Sequence, residues 1–164
     1  MRSILKVNWD SNFQIYNISQ SELQKKGINS LLLDVDGTLV NRKSNMIPKA
    51  VKNWIIQSKK LFSLYLISNN PSKNRIEKIA NELNLSYKYN ASKPRKKVTF
   101  SAIKEIGSDP KNIAIIGDRI FTDIIVGNRC NIKTILVKRL NRDGLPIKLN
   151  LTLTIEKLIS HFIK

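Results

Sequence analysis

Residues 31–40 of the chain are LLLDVDGTLV, an apolar run that changes abruptly into an acidic turn containing glycine. Leu31–Val35, apolar except for Asp34, has the length and the character of a strand that is buried on both faces. Such strands belong to parallel sheets, whose ligand sites form at the carboxyl ends of the strands. The carboxylates of Asp34 and Asp36 therefore stand where a parallel α/β sheet places its functional groups.

The same pattern continues along the chain. Apolar segments typical of strands recur at 62–67, 85–89, 112–116 and 133–137, and segments with helical apolar spacing lie between them. Helix-start signals are a capping box at Ser19, prolines at 48 and 94, and the pair Asn70 and Pro71. This alternation predicts an α/β fold, a three-layer doubly wound parallel sheet with helices on both faces. We expect one domain over residues 1–164, with a core at about 28–137 flanked by segments 1–27 and 138–164.

Composition agrees with a single folded domain. The chain has 164 residues, of which 41% are hydrophobic, and no apolar run approaches the ~20 residues of a membrane-spanning helix. Polar residues near the N-terminus do not fit an export signal, so we expect a cytoplasmic protein. The only cysteine, Cys130, excludes an internal disulfide and a cysteine-based zinc site.

The charge balance points to anionic partners. Lys and Arg number 29 against 12 Asp and Glu, for a net charge of +17, which favours nucleic acid or an anionic membrane. A compositional drift toward Lys, Ile and Asn explains the charge equally well. Four of the seven aspartates fall in two clusters, Asp34 with Asp36 and Asp118 with Asp123, and clustered carboxylates in a basic protein indicate a cation site.

Polar residues follow four of the predicted strands. In chain order these are Asp34 and Asp36, then Ser68 and Asn69, then Lys93, and finally Asp118. Carboxylate oxygens suit Mg²⁺, and a lysine, a hydroxyl and the backbone N–H groups near Asn70 suit an oxyanion. Together they describe a phosphate site, where catalysis is mostly positioning and charge neutralisation.

Four segments of the chain carry a family resemblance. They are DVDGTLV at 34–40, Ser68 after an apolar strand, Lys93 followed by Pro94, and GDRIFTD at 117–123. In this order and spacing they resemble the haloacid dehalogenase (HAD) superfamily of phosphohydrolases. The connections leave no room for a cap domain, and the chain is most similar to the uncapped subfamily IIIA and, within it, to the YqeG-type phosphatidylglycerophosphate phosphatases.

The resemblance implies a role for each matching residue. Asp34 is then the nucleophile that forms an aspartyl-phosphate, and Asp36 is the acid and base. Mg²⁺ is held by the carboxylates of Asp34 and Asp118 and by the carbonyl of Asp36, with Asp123 supporting the ion indirectly or through water. The residues expected to contact the substrate are Ser68, Asn69, Lys93, Arg119 and Asn128.

The resemblance also implies a substrate, phosphatidylglycerophosphate, and a step in phospholipid biosynthesis at the inner face of the membrane. An uncapped site suits a large substrate or closure by another subunit, and the sequence leaves the oligomeric state open. The apolar face of a helix at 151–163 and the apolar and aromatic residues at 4–16 could lie in a membrane interface. Packing of either segment against the sheet is the competing interpretation.

Two alternatives remain at this stage. The first is an uncapped phosphatase for a soluble phosphomonoester or a nucleic-acid 3′-phosphate, although Phe100 is the only ring near the basic run at 93–97 and nucleic-acid binding commonly uses stacked aromatics. The second is a non-catalytic member of the fold that binds RNA or protein through its basic surface.

Overall fold

The structure is a computed structural model and describes residues 4–140. The helix predicted at 151–163 lies outside the described residues. The strands are β1 (Trp9–Asp10), β2 (Ser30–Leu33), β3 (Ser63–Ile67), β4 (Ser86–Lys88), β5 (Ile113–Gly117) and β6 (Lys133–Leu136). The α-helices are α1 (Gln20–Lys25), α2 (Lys49–Ser58), α3 (Lys73–Leu83), α4 (Lys96–Ile106) and α5 (Ile125–Arg129), and a π-helical turn at Ile120–Ile124 leads into α5.

Within residues 4–140, six strands pair in parallel, in the order β1-β6-β5-β2-β3-β4. The central strand β2 lies between β5 and β3, so the strand order reverses on its two sides. Crevices at such switch points are where open α/β sheets bind ligands. The predicted doubly wound parallel sheet is confirmed, and its switch point coincides with the acidic turn that follows β2.

Helices cover both faces of the sheet. One apolar cluster contains Leu31 and Leu33 of β2 together with buried residues of α1, α2 and α3. The other contains Leu32 of β2 together with buried residues of α4 and α5. Because neighbouring residues of a strand point to opposite faces, the continuous apolar run of β2 supplies both clusters. The three-layer arrangement is confirmed.

The folded core begins earlier in the chain than the expected core at 28–137, because the segment before β2 packs into it. Trp9–Asp10 pairs with Ile135 and Leu136 at the edge of the sheet, and Ile15 is fully buried. The indole Nε1 of Trp54 donates to the carbonyl of Ile18 at 2.8 Å. Of the two interpretations of this segment, the structure favours packing against the sheet. Within residues 4–140, no helix has both the length and the apolar content needed to cross a membrane.

Two helices begin two residues later than predicted. Helix α3 begins at Lys73, and the hydroxyl of Ser72 accepts from the N–H of Arg75 as its N-cap. Asn70 accepts from the N–H of Ser72 at 2.9 Å, so its side chain stabilises a turn before the helix. Helix α4 begins at Lys96, because the N–H of Arg95 donates to the carbonyl of Ser92 and places Pro94 within a turn.

Candidate active site

Three buried carboxylates meet at the carboxyl ends of β2 and β5. Asp34 follows β2, Asp118 follows β5, and Asp123 lies in the π-helical turn. One oxygen atom of each lies within 4.8 Å of the others. The strand ends bring Asp34 and Asp118 together from distant positions in the sequence, as the strand-end argument predicts, and Asp123 reaches the same point from the turn that follows β5.

Lys93 neutralises part of this cluster. Its ammonium lies 2.7 Å from Asp34 Oδ1 and 2.6 Å from Asp123 Oδ1, and it also donates to the carbonyl of Ile67 at 3.1 Å. The lysine is buried, and burial alone would lower its pKa, but the charges of Asp123 and Asp34 raise that pKa above its usual value. The ammonium is therefore a permanent positive charge between two carboxylates.

Burial raises the pKa values of Asp118 and Asp123. The pKa of Asp118 rises to about 6 through desolvation and the charge of Asp34, although Arg139 acts in the opposite direction. The pKa of Asp123 rises to about 7 through desolvation and the charges of Asp34 and Asp118, although Lys93 opposes this. Carboxylates in this state require a further cation to remain ionised together.

The donor set fits a hard divalent cation. Arg139 pairs with Oδ2 of Asp118, whereas Oδ1 of Asp118 is buried and has no hydrogen-bond partner in the described part of the chain. An unpartnered carboxylate oxygen beside two further carboxylates suits Mg²⁺, which prefers oxygen ligands. Asp34, Asp118 and Asp123 are the residues whose carboxylates could hold the ion.

Two glycines make this close packing achievable. A Cβ atom on Gly117 would lie 2.3 Å from Cγ of Asp123, and one on Gly37 would lie 2.7 Å from Oδ2 of Asp118. Gly37 also has a φ of +98°, which side chains rarely allow. Both glycines of the predicted motifs therefore leave space for buried carboxylates.

Asp36 lies apart from the carboxylate cluster, although it shares the cavity with Asp34. Its Oδ1 accepts from the guanidinium of Arg75 at 2.6 Å, and its Oδ2 accepts from the amide of Asn70 at 3.0 Å. The side chain of Asp36 therefore lines the same cavity as Asp34 but is not part of the candidate metal cluster.

A cavity of about 280 Å³ opens over Asp34. Its wall is formed by Asp34, Asp36, Arg42, Ser68, Asn69, Asn70, Lys93, Arg119 and Thr122. Ser68 accepts from the N–H of Asn70 at 3.1 Å, so this N–H group is engaged by the hydroxyl, contrary to the prediction that it faces an oxyanion. Because a hydroxyl both accepts and donates, Ser68 can still donate its proton to a ligand.

Asn69 positions the lysine loop as well as lining the cavity. Its amide oxygen accepts from the N–H of Lys93 at 2.7 Å, and its amide nitrogen donates to the carbonyl of the same residue at 2.9 Å. Arg119 also lines the cavity, and its backbone N–H donates to Oδ2 of Asp123 at 3.2 Å. These two predicted substrate residues therefore also hold the backbone of Lys93 and the carboxylate of Asp123 in place.

The structure does not bring Asn128 to the cavity. Its amide donates to the carbonyls of Ile4 and Lys6, at 2.7 and 2.9 Å. These bonds attach the N-terminal segment to α5, so the observed contacts of Asn128 are structural. Sequence adjacency to the fourth motif was a poor guide because α5 leads away from the strand ends.

Sequence reasoning gave no role in the site to the side chains of several residues around it: Arg42, Asn70, Arg75, Thr122 and Arg139. Arg139 follows the carboxyl end of β6, so the strand-end rule could have found it. Arg42 and Arg75 come from a loop and from the first turn of α3, and no local sequence signal marks them.

Comparisons with known proteins agree with this geometry. Residues 90–143 match the family model described as "HAD-hyrolase-like". The chain is 27% identical over 124 residues to the Bacillus subtilis (strain 168) protein named "Probable phosphatase YqeG", with 75% of this chain and 72% of that protein covered.

Solved structures share the fold at low sequence identity. One is an uncharacterized protein from Listeria monocytogenes serotype 4b, with a TM-score of 0.57 at 17% identity, covering 76% of this chain and 85% of that one. Another is YfnB from Bacillus subtilis, a HAD-hydrolase by name and bound to magnesium, with a TM-score of 0.54 at 13% identity, covering 84% and 99%. The chain therefore has the fold of the HAD-like hydrolases, and its residues 90–143 carry the sequence match to that family.

Proposed function

We propose that the chain is a Mg²⁺-dependent phosphatase that acts through an aspartyl-phosphate on Asp34. One observation carries this proposal: Asp34 stands at the wall of the cavity with Lys93 at 2.7 Å and with Asp118 and Asp123 close behind it. A carboxylate held between a fixed ammonium and a candidate cation site is oriented to attack an electrophile that carries negative charge.

The reaction has two steps. An oxygen of Asp34 attacks the phosphorus atom, the bond from phosphorus to the ester oxygen breaks, and Asp36 donates a proton to the departing alkoxide. Water then attacks the phosphorus of the aspartyl-phosphate while Asp36 accepts the water proton, which releases inorganic phosphate and restores both carboxyl groups. Lys93, Ser68 and Arg119 donate to the phosphoryl oxygens throughout.

Mg²⁺ would be held by Asp34 and Asp118, with Asp123 supporting the site. When bound, the ion neutralises negative charge on the phosphoryl group and on its own carboxylate ligands. Burial first, and then the charges of neighbouring carboxylates, raise the pKa values of Asp118 and Asp123, so a cation is needed to keep these acids ionised together.

We further propose that the substrate is phosphatidylglycerophosphate, presented at the inner face of an anionic membrane. A cavity of about 280 Å³ is at the small end of the range for ligand sites, so it suits a phosphate head group and leaves acyl chains outside. The rim residues Arg42 and Asn69 are exposed, and the described chain contains no inserted domain that covers them. The net charge of +17 favours approach to an anionic surface.

The test is phosphate release by the full-length chain, with Mg²⁺ or with EDTA. The substrates are phosphatidylglycerophosphate in vesicles, a panel of soluble phosphomonoesters and 3′-phosphorylated oligonucleotides. Asp34→Asn serves as the inactive variant, and Asp109→Asn, which alters an exposed carboxylate remote from the cavity, serves as its matched control. Mg²⁺-dependent release from the lipid alone is the expected result.

Release from a soluble or nucleic-acid substrate instead would keep the mechanism and overturn the lipid assignment. Absence of release from every substrate, with the control variant equally inactive, would overturn the proposed activity and favour a binding role for the basic surface.

A further inference from the structure

The guanidinium of Arg75 links two parts of the site, the Asp36 carboxylate and the loop at residues 41–44. Nη1 donates to Asp36 Oδ1 at 2.6 Å, and both side chains are largely shielded from solvent, with exposed fractions of 14% and 16%. An ion pair at this distance and burial is stronger than one on the surface. Arg75 therefore fixes one side of the Asp36 carboxylate.

The other terminal nitrogen of Arg75 holds the loop that follows the first motif. Nη2 lies 2.7 Å from the carbonyl oxygen of Ser44, 3.2 Å from that of Asn41 and 3.4 Å from that of Arg42. This loop carries the Arg42 side chain to the cavity wall. The planar guanidinium carries several N–H donors on separate nitrogens, so it binds a carboxylate and a set of carbonyls at once. The single ammonium of a lysine cannot reproduce both contacts.

Asn70 orients the same carboxylate through its second oxygen, Oδ2. The amide nitrogen of Asn70 donates to Asp36 Oδ2 at 3.0 Å, while its amide oxygen accepts from the N–H of Ser72. Asn70, in the turn before α3, and Arg75, in the first turn of α3, therefore form a pair of donors to Asp36. Both oxygens of Asp36 are held beside Asp34, and neither takes part in the candidate metal cluster.

We propose that Arg75 is a positioning residue, which aligns Asp36 for proton transfer to the leaving group and keeps the loop at residues 41–44 against the cavity. The inference rests on the proposed phosphatase function. It extends that function by assigning the alignment of the acid to a residue outside the four motifs. Arg75 touches neither Asp34 nor Lys93 in the contacts described above, so it acts through Asp36.

Leaving-group chemistry provides the test. β-Glycerophosphate releases an alkoxide that requires a proton, whereas p-nitrophenyl phosphate releases a phenolate that is stable without one. Because hydrolysis of the aspartyl-phosphate is common to both substrates, the leaving group affects kcat/KM, which reports phosphoryl transfer to Asp34. We expect Arg75→Met to lower kcat/KM for β-glycerophosphate by ~10- to 100-fold, up to the lower end of the ~10²–10⁴-fold that general acid catalysis contributes, and to lower kcat/KM for p-nitrophenyl phosphate several-fold less. Asp36→Asn should give the same selective pattern.

Several controls separate positioning from a structural role. Lys78→Met changes an exposed cation of the same helix and should leave both rates unchanged. Arg75→Lys should recover only part of the rate. In the double variant Asp36→Asn with Arg75→Met, the two losses should not add, because the residues act on one proton transfer.

An equal fall in kcat/KM for both substrates on Arg75→Met would overturn the inference while leaving the phosphatase proposal in place. If the parent chain releases phosphate neither from these two substrates nor from the lipid, the proposed phosphatase function is itself wrong. Thermal unfolding of each variant identifies a loss of activity that comes from loss of the fold.

Discussion

Replacing Lys93 with methionine tests the electrostatic arrangement of the site. The substitution keeps an unbranched side chain of similar length and removes the charge that lies 2.7 Å from Asp34 and 2.6 Å from Asp123. Removing one partner of a buried ion pair leaves the other charge uncompensated and costs about 3–5 kcal/mol. Against the ~5–15 kcal/mol that a domain has in total, this loss is large enough to measure.

The loss should depend on pH in a defined direction. Asp123 has a pKa of about 7 in the folded chain, well above its value of ~3.9 in an unfolded one, and loss of Lys93 raises it further. The folded variant then binds more protons than the unfolded chain, so its stability falls as pH rises. We therefore expect the cost at pH 8.5 to exceed the cost at pH 5.5 by ~1 kcal/mol or more.

Urea unfolding in EDTA at these two pH values provides the measurement. Lys97→Met, which removes an exposed cation from α4, is the matched control and should change stability by less than ~0.5 kcal/mol. A cost below ~1 kcal/mol for Lys93→Met, or an equal cost at both pH values, would refute the reasoning that Lys93 neutralises buried carboxylates.

Three further predictions follow from the same geometry. Asp34→Asn should abolish phosphate release while the melting temperature stays near that of the parent, because the change is isosteric, Lys93 keeps its pair with Asp123 at 2.6 Å and the cluster loses one of its mutually repelling charges; retained turnover in this variant would contradict covalent catalysis. Gly117→Ala should destabilise the chain by ~1–3 kcal/mol through overpacking, since its Cβ would meet Asp123 at 2.3 Å, and calorimetric titration should detect weaker Mg²⁺ binding; a cost below ~0.5 kcal/mol would show that the site has room. Because the pKa values of Asp118 and Asp123 are about 6 and 7, the metal-free chain should lose stability between pH 5 and pH 8, and Mg²⁺ should raise the melting temperature more at pH 8; an equal Mg²⁺ effect at both pH values argues against these acids as ligands.

The sheet and the acidic cluster could be predicted because both depend on signals local to each strand. The apolar run of β2 supplies residues to both faces of the sheet, and its end marks the switch point at which Asp34 lies. Asp118 follows β5 directly, so the parallel arrangement alone brings it near Asp34, whereas Lys93 lies in the loop after β4 and is also held by Asn69. The strand bounds differed from the predicted ones by one or two residues at the ends.

Contacts that depend on loop conformation could not be predicted. Arg75 reaches Asp36 because Ser72, and not Asn70, caps α3 and sets the rotation of its first turn. Asn128 follows the fourth motif in sequence, but its amide attaches the N-terminal segment. The short strand Trp9–Asp10 carries too little periodicity to be recognised, and its position depends on pairing with β6.

Trapping the covalent intermediate tests the central claim most directly. Borohydride reduces an acyl phosphate to the alcohol, so a phosphorylated Asp34 would become homoserine, which peptide mass spectrometry locates in the sequence. The chain should be mixed with Mg²⁺ and phosphatidylglycerophosphate vesicles, and in parallel with p-nitrophenyl phosphate, and then quenched during turnover. The account predicts homoserine at position 34 and none at Asp36 or Asp118. Turnover without modification at residue 34, or modification at another aspartate, would contradict it.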